Sequence, residues 1–365
     1  MRRRHDLCAP WMFTDPAPSV PEHRRGDKAR RRAAYFAPGA AVNCEPRSAI
    51  RNRMHDQRPP AIFLMGPTAS GKTAFAVELV QRWPLEIVSV DSALVYRGMD
   101  IGTAKPDAET LHLAPHRLID LCAPTQAYSA ADFCRDALSA MHEIRADGRI
   151  PLLIGGTSMY FRALQHGLSD LPEADPAVRG RLEAEAKALG WTAMHKRLQA
   201  SDPLAAARIH PNDPQRIQRA LEVIELTGRS LSEQQGRRQK PLGFRILKIA
   251  ACPADRAVLH QRIEARFALM LHAGLCDEVR GLMAQPGMHA ELPSMRAVGY
   301  RQTWQHLQGA FDRRELLDRG VFATRQLAKR QITWLRSEFD AFWRDPGDAA
   351  ARTDALRLIS SFCAM

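Results

Sequence analysis

The residues Gly66-Pro67-Thr68-Ala69-Ser70-Gly71-Lys72-Thr73 have the spacing G-x-x-x-x-G-K-[ST]. Glycines at these positions let the backbone curl until its N–H groups converge on phosphate oxygens, and the lysine supplies a point charge to them. The Thr73 hydroxyl is of the kind that holds a magnesium ion beside a polyphosphate. The flanks fit that use. Ala61–Met65 is an apolar run of strand length, and Ala74–Arg82 repeats apolar residues at 75, 76, 79 and 80 along one helical face. Such a helix adds its positive N-terminus to the cradle. The chemistry implied is polyphosphate binding; a nucleotide such as ATP and a diphosphate ester present the same oxygens.

A second candidate is Asp91, at the end of the strand-like Glu86–Val90. A strand-end aspartate serves as a magnesium ligand, a general base or a turn residue, and the local pattern leaves all three open. Strand and helix then alternate. Arg117–Leu121 reads as a strand, and Ser129–Asp147 as an amphipathic helix with Ser129 and Asp132 spaced as a capping box. Ile150–Ile154 reads as a buried strand that runs into Gly155-Gly156-Thr157 and a helix from about Ser158, and Phe244–Ala251 is a later strand. Alternation of this kind predicts an α/β fold, a parallel sheet with helices on both faces. Ligands of such sheets gather at the carboxyl ends of the strands, where Thr73, Asp91 and Thr157 are all expected.

Composition narrows the remaining classes. At 365 residues the chain suits one large α/β domain with an insertion, and its 45% hydrophobic and 25% charged residues are ordinary for a globular protein. No apolar run approaches the roughly 20 residues of a membrane-spanning helix, so no membrane role is expected. The cysteines at 8, 44, 122, 134, 252, 276 and 363 are odd in number and never spaced Cys-x-x-Cys, which speaks for reduced thiols in the cytoplasm. Of the net charge of +12, residues 1–60 carry +7, with thirteen Lys/Arg against six Asp/Glu. Arg2–Arg4, Arg24–Arg25 and Arg30–Arg32 sit there among Pro, Gly and Ala without periodicity, so residues 1–58 read as a disordered basic extension. Acidic residues interrupt it, unlike a transit peptide, and Met54 is an alternative start.

Val88-Ser89-Val90-Asp91-Ser92-Ala93-Leu94-Val95-Tyr96 and the following Gly98–Pro106, taken with the phosphate loop and Ile154–Phe161, closely resemble the bacterial tRNA dimethylallyltransferases. The resemblance extends over most of residues 60–340, through Tyr128–Phe133, His210–Ala220, Met295–Arg301 and Thr324–Arg336. It implies a P-loop NTPase-like core over 59–174 and 244–345, a helical insertion over 175–243 that contacts the tRNA anticodon stem-loop, and a C-terminal helix or tail at 346–365. It further implies transfer of a dimethylallyl group from dimethylallyl diphosphate to N6 of the adenosine 3′ to the anticodon, in a monomeric enzyme using Mg2+. Lys72, Thr73, Asp91 as base and Arg266, on the helical Ala254–His272, are then the catalytic group. The tRNA contacts it implies are Asp91, Ser92, Ala93 and Leu94, then Thr157, Arg179, Gln215, Arg216, Ile217, Gln218 and Arg219. It adds Arg296, Ala297, Val298, Gly299, Tyr300 and Arg301, and finally Lys329, Arg330, Gln331, Ile332, Thr333, Trp334, Leu335 and Arg336. Arg325, Lys329 and Arg336 recur on one helical face. The stretch Gly236–Pro241, rich in Arg and Gln, reads as a hinge or loop. The rival readings are an ATP-dependent kinase of a small molecule or nucleoside and a non-catalytic RNA-binding protein.

Overall fold

The structure is a computed structural model that describes residues 56–169, 171–235 and 242–364. The basic extension, save residues 56–58, and the segment 236–241 lie outside the described residues.

Strand β1 (Pro60–Met65) turns Ala61, Phe63 and Met65 into one apolar cluster and Ile62 and Leu64 into another. Burial on both faces is what a central strand of a parallel sheet requires. Strands β2 (Leu85–Val90), β4 (Ile150–Gly155) and β5 (Arg245–Ala251) are likewise buried nearly throughout. With the short β3 (His116–Arg117) and β6 (Phe342–Arg344) they make a six-stranded, all-parallel sheet of order β3-β2-β4-β1-β5-β6. One face is covered by α3 (Ala130–Ala146) and α4 (Ser158–His166), through Phe133, Met141, Tyr160 and Phe161. The other is covered by α1 (Lys72–Arg82) and the C-terminal α14 (Ala349–Cys363), through Phe75, Leu79, Ile359 and Phe362. A short α2 (Ala108–Leu113) links β2 to β3. Helix α3 starts where its capping box predicts, with Ser129 and Asp132 satisfying each other's backbone N–H groups.

Strand register aligns the ends of the central strands. Met65 pairs with Gly155, and Gly155 with Val90. The residues that leave these three strands, Gly66, Gly156 and Asp91, therefore emerge at one level of the carboxyl edge.

Between β4 and β5 the chain folds α5 (Pro176–Leu189), α6 (Trp191–Ser201), α7 (Pro203–Ala206), α8 (Pro214–Thr227) and α9 (Leu231–Gln234). Asp175, Asp202 and Asp213 cap three of these helices, each followed by proline in the first turn, so the Asp-Pro breaks of the sequence become helix starts. Leu182, Leu198, Ile217 and Val223 give this segment an apolar cluster of its own. After β5, α10 (Arg256–His272), α11 (Leu275–Met283), α12 (Tyr300–Leu307) and α13 (Arg313–Leu335) pack around Phe267, Leu275, Tyr300 and Ile332. Gly320 lets α13 approach α10, because a Cβ there would collide with the Phe267 ring.

One expectation needs correction. The strand expected over Arg117–Leu121 stops at Arg117, since Leu118 and Asp120 take left-handed conformations at φ 63° and 55°. Its remainder turns to pair instead with residues 94–95, where Asp120 donates to Leu94 O and Cys122 to Val95 O. At the C-terminus the expected helix is α14, which closes one face of the sheet, and β6 extends its edge.

Candidate active site at the carboxyl edge of the sheet

The phosphate loop joins β1 to α1. Ala69 at φ 62° and Gly71 at φ 90° reverse the usual handedness, the backbone alternation that aims successive N–H groups inward. Gly66 is held under the loop, and a Cβ there would strike Ala251 O and come within 2.8 Å of Ser70 Oγ. Ser70 is fully buried and its hydroxyl has no partner among the described residues. Arg262 of α10 donates to Ser70 O at 3.4 Å and braces the loop from outside. Thr73 stays exposed at the start of α1.

Lys72 folds back over this loop and donates to Pro67 O at 3.2 Å. Burial lowers its pKa from 10.5 to about 8; the Asp91 carboxylate opposes that shift and the Arg266 guanidinium adds to it. Burial likewise lowers the pKa of Arg266, again opposed by Asp91. Lys72, Asp91 and Arg266, far apart in sequence, thus lie within electrostatic reach of one another. Asp91 accepts from the N–H of Ala93 at 2.9 Å, an Asx turn that points the strand-end carboxylate along the edge. The Thr157 hydroxyl accepts the N–H of Ser92 at 3.1 Å and ties the β2 end to the β4 end.

Arg266 reaches the edge from α10, donating to Thr103 O at 3.4 Å in the loop 98–105. That loop is held by a carboxylate that the sequence did not single out. Glu278 of α11 accepts the N–H groups of Asp100, Ile101 and Gly102 at 2.7–3.1 Å, and the Tyr300 hydroxyl at 2.5 Å. Lys105 closes the loop on Tyr96 O, Asp100 and Asp120. No local pattern marks Glu278, because its loop partners lie 176 to 178 residues upstream.

The residues expected to face RNA divide by exposure. Ser92, Gln215, Arg216, Arg296, Arg301, Lys329, Arg330, Thr333 and Arg336 are exposed; Ala93, Leu94, Thr157, Ala297, Val298 and Trp334 are half-buried. Ile217, Tyr300, Ile332 and Leu335 are packed in the apolar clusters, and Gly299 is buried beside them, so these positions hold the segments in place from inside. Arg179 and Arg219 both bond the fully buried Glu222, and Gln218 reaches Arg179 O and Glu183. This α8 segment belongs to the insertion's own network, whereas the phosphate loop, Asp91, Thr157, Arg266 and Gln331 meet at the sheet edge. On α13, Arg325 pairs with Glu264, while Lys329 and Arg330 make no ion pair among the described residues.

Among the described residues no three His, Cys, Asp or Glu side chains cluster as a metal-ligand set, and no helix is long and apolar enough to cross a membrane. A magnesium ion held mainly by substrate phosphates needs no such cluster, only one or two protein oxygens.

A family model described as IPP transferase matches residues 94–338. A tRNA dimethylallyltransferase of Alkalilimnicola ehrlichii is 63% identical over 280 residues, which is 77% of this chain and 88% of the relative. The full-length tRNA isopentenylpyrophosphate transferase of Bacillus halodurans superposes with a TM-score of 0.61 at 36% identity, over 84% of this chain and 97% of that one. A eukaryotic dimethylallyltransferase acting on tRNA superposes with a TM-score of 0.70 over 83% of this chain and 80% of its own; at 24% identity that likeness is one of fold.

Proposed function

The chain belongs to the IPP transferase family, and on that premise we propose that it is a tRNA dimethylallyltransferase, moving a dimethylallyl group from dimethylallyl diphosphate to N6 of the adenosine 3′-adjacent to the anticodon. The observation that carries this reading is a carboxylate, Asp91, within electrostatic reach of two cations, Lys72 and Arg266, at the same level of the sheet edge as a phosphate cradle. A kinase can pair such a cradle with a carboxylate that takes the proton of a hydroxyl acceptor; the likeness to a tRNA dimethylallyltransferase favours an amine acceptor.

In this reading the phosphate loop binds the donor's diphosphate through its N–H groups and the α1 N-terminus. Lys72 and Arg266 stabilise the charge that collects on diphosphate as the allylic C–O bond breaks and its electron pair leaves with oxygen. The adenine N6 forms the new C–N bond to the allylic carbon, and its proton passes to Asp91. The N6 lone pair is delocalised into the ring, so removal of that proton during attack is where a base helps. Thr73, with its exposed hydroxyl, would hold a Mg2+ that neutralises diphosphate charge. The target base is stacked in its loop and has to be extruded to reach Asp91. The exposed Lys329, Arg330 and Arg301 are among the described groups suited to the anticodon stem-loop backbone. The reaction belongs to the cytoplasm, with the enzyme acting as a monomer.

Incubation of the purified protein with tRNA and dimethylallyl diphosphate, followed by mass spectrometry of the nucleosides, tests the proposal. Dimethylallyl adenosine at the position after the anticodon is expected. ATP turnover with no modified nucleoside would replace the proposal with a kinase.

A further inference from the structure

Gln331 lies on α13 immediately after the exposed Lys329 and Arg330, yet its side chain points the other way, into the phosphate loop. Its Oε1 accepts the backbone N–H of Thr68 at 2.9 Å, and its Nε2 donates to Gly156 O at 3.0 Å. These partners belong to the two turns that flank the candidate site: the phosphate loop after β1 and the glycine turn after β4. Gly156 has no room for a side chain, since a Cβ there would collide with the Gln331 amide and come within 3.0 Å of Gly66 O. The two turns and the amide are therefore in mutual contact.

We propose that Gln331 is a positioning residue of the prenyl transfer: its amide clamps the phosphate loop to the β4–α4 turn and so fixes the donor's diphosphate relative to Asp91 and Thr157. The inference deepens the proposed function and rests on it. Three observations carry it. One end of the side chain meets a donor and the other an acceptor, which an amide alone among side chains of this length satisfies at once. The Thr68 N–H is a loop amide outside helix and strand, and Gln331 Oε1 is the acceptor that it meets. Thr157, the neighbour of the clamped Gly156, is itself bonded to Ser92 beside Asp91. The contacts from α13 thus branch at Gln331, one arm to the cradle and the other through Gly156 and Thr157 to the residue next to the base. It also joins the cradle to the helix bearing Lys329 and Arg330.

The resemblance to the family makes Gln331 an RNA contact; the clamp makes a different prediction. Gln331→Leu removes both bonds at nearly constant volume, and Gln331→Glu keeps the acceptor but loses the donor. Both are compared with wild type for kcat and KM toward dimethylallyl diphosphate, for tRNA affinity and for affinity toward inorganic diphosphate. Displacement of a reacting group by a fraction of an ångström is costly, so the donor kcat/KM is expected to fall by about 10- to 100-fold in Gln331→Leu, with tRNA affinity unchanged. Gln331→Glu keeps the Thr68 bond but sets a carboxylate against Gly156 O and beside the donor's diphosphate, so its donor kcat/KM is expected to fall at least as far. Should the leucine variant fail to fold, Gln331→Met, which removes both bonds and adds no charge, takes its place. Unchanged donor kinetics in a folded variant, or weakened tRNA binding with donor kinetics intact, would overturn the clamp. If the wild type itself transfers no prenyl group, the proposed function fails. Diphosphate titration then judges the clamp alone: weaker binding in Gln331→Leu upholds it, and equal binding overturns it.

Discussion

At the scale of single residues, the proposed reaction divides its chemistry between Asp91 and Lys72. A general base contributes typically about 10²–10⁴-fold, so Asp91→Asn is expected to lower kcat by that factor while tRNA affinity changes little. Were Asp91 chiefly a magnesium ligand, extra magnesium would partly restore the variant and donor affinity would weaken. Single-turnover rates at two magnesium concentrations, with a tRNA-binding isotherm, separate the two roles. Lys72 carries a charge that burial disfavours, which holds its pKa down to about 8 in the free protein. Above that value the cation is lost, and donor affinity should weaken by up to about tenfold per pH unit; a donor KM flat from pH 7 to 10 would remove Lys72 from phosphate binding. The sign for stability is opposite. Between about 8 and 10.5 the unfolded chain binds the proton that the folded one has released, so this group's contribution to stability rises with pH and is least favourable below 8. Lys72→Met should therefore abolish turnover yet raise the melting temperature at pH 7, by a margin that shrinks as the pH approaches 10.

At the scale of elements, the site is held from behind by helices that carry none of its phosphate-binding backbone. Helix α10 supplies Arg262 and Arg266, α11 supplies Glu278, and α13 supplies Gln331. Glu278 satisfies three consecutive N–H groups of the loop 98–105, which gives that loop a fixed path without regular structure. The insertion has a comparable device in Glu222, a buried carboxylate bonded to Arg179, Arg219 and the N–H of Asp175. Burial raises its pKa, but the two arginines and the backbone bond outweigh that and leave it lowered. Its stabilisation is present above the ordinary glutamate value of 4.5 and is lost as the pH falls through the lower folded value. Glu222→Ala should cost roughly 1.5–3 kcal/mol, the range for hydrogen bonds to a charged group, read as a lower denaturant midpoint at pH 7. A loss of tRNA affinity beyond that explained by unfolding would mean that the freed arginines no longer shape an RNA surface.

For the molecule as a whole, charge is unevenly divided. Residues 1–60 carry +7 of the net +12, and the remainder is only mildly basic. RNA binding by residues 61–365 therefore has to come from local placement of cations, and the exposed Lys329 and Arg330 are the best placed on α13. Each phosphate contact contributes about −0.7 to −0.9 to the slope of log affinity against log salt. The double variant Lys329→Ala/Arg330→Ala should thus flatten that slope by roughly 1.4–1.8 while leaving donor KM as it was. An unchanged slope would put the anticodon stem-loop elsewhere on the surface.

The phosphate loop, the parallel α/β sheet and the position of Asp91 at a strand end were legible in the sequence because each depends on neighbours. Glycine spacing sets a loop, apolar periodicity sets a strand or helix, and strand direction sets which end carries the ligand. The two-residue β3 was over-read because an apolar run does not reveal that Leu118 and Asp120 turn left-handed to pair with residues 94–95. The edge strand β6 and the covering role of α14 were missed for a related reason: a short strand and a terminal helix acquire meaning only from the surface that they cover. The site divides in the same way. The loop motif identified Lys72 and Thr73, strand periodicity placed Asp91 and the family resemblance supplied Arg266, but sequence alone did not distinguish Tyr300 and Ile332 as packing groups from Lys329 and Arg330 as surface cations. Nor did it find Glu278 or the inward turn of Gln331. Those depend on contacts between residues some 175 to 263 positions apart, which only the packing of α10, α11 and α13 against the carboxyl edge brings within hydrogen-bond reach.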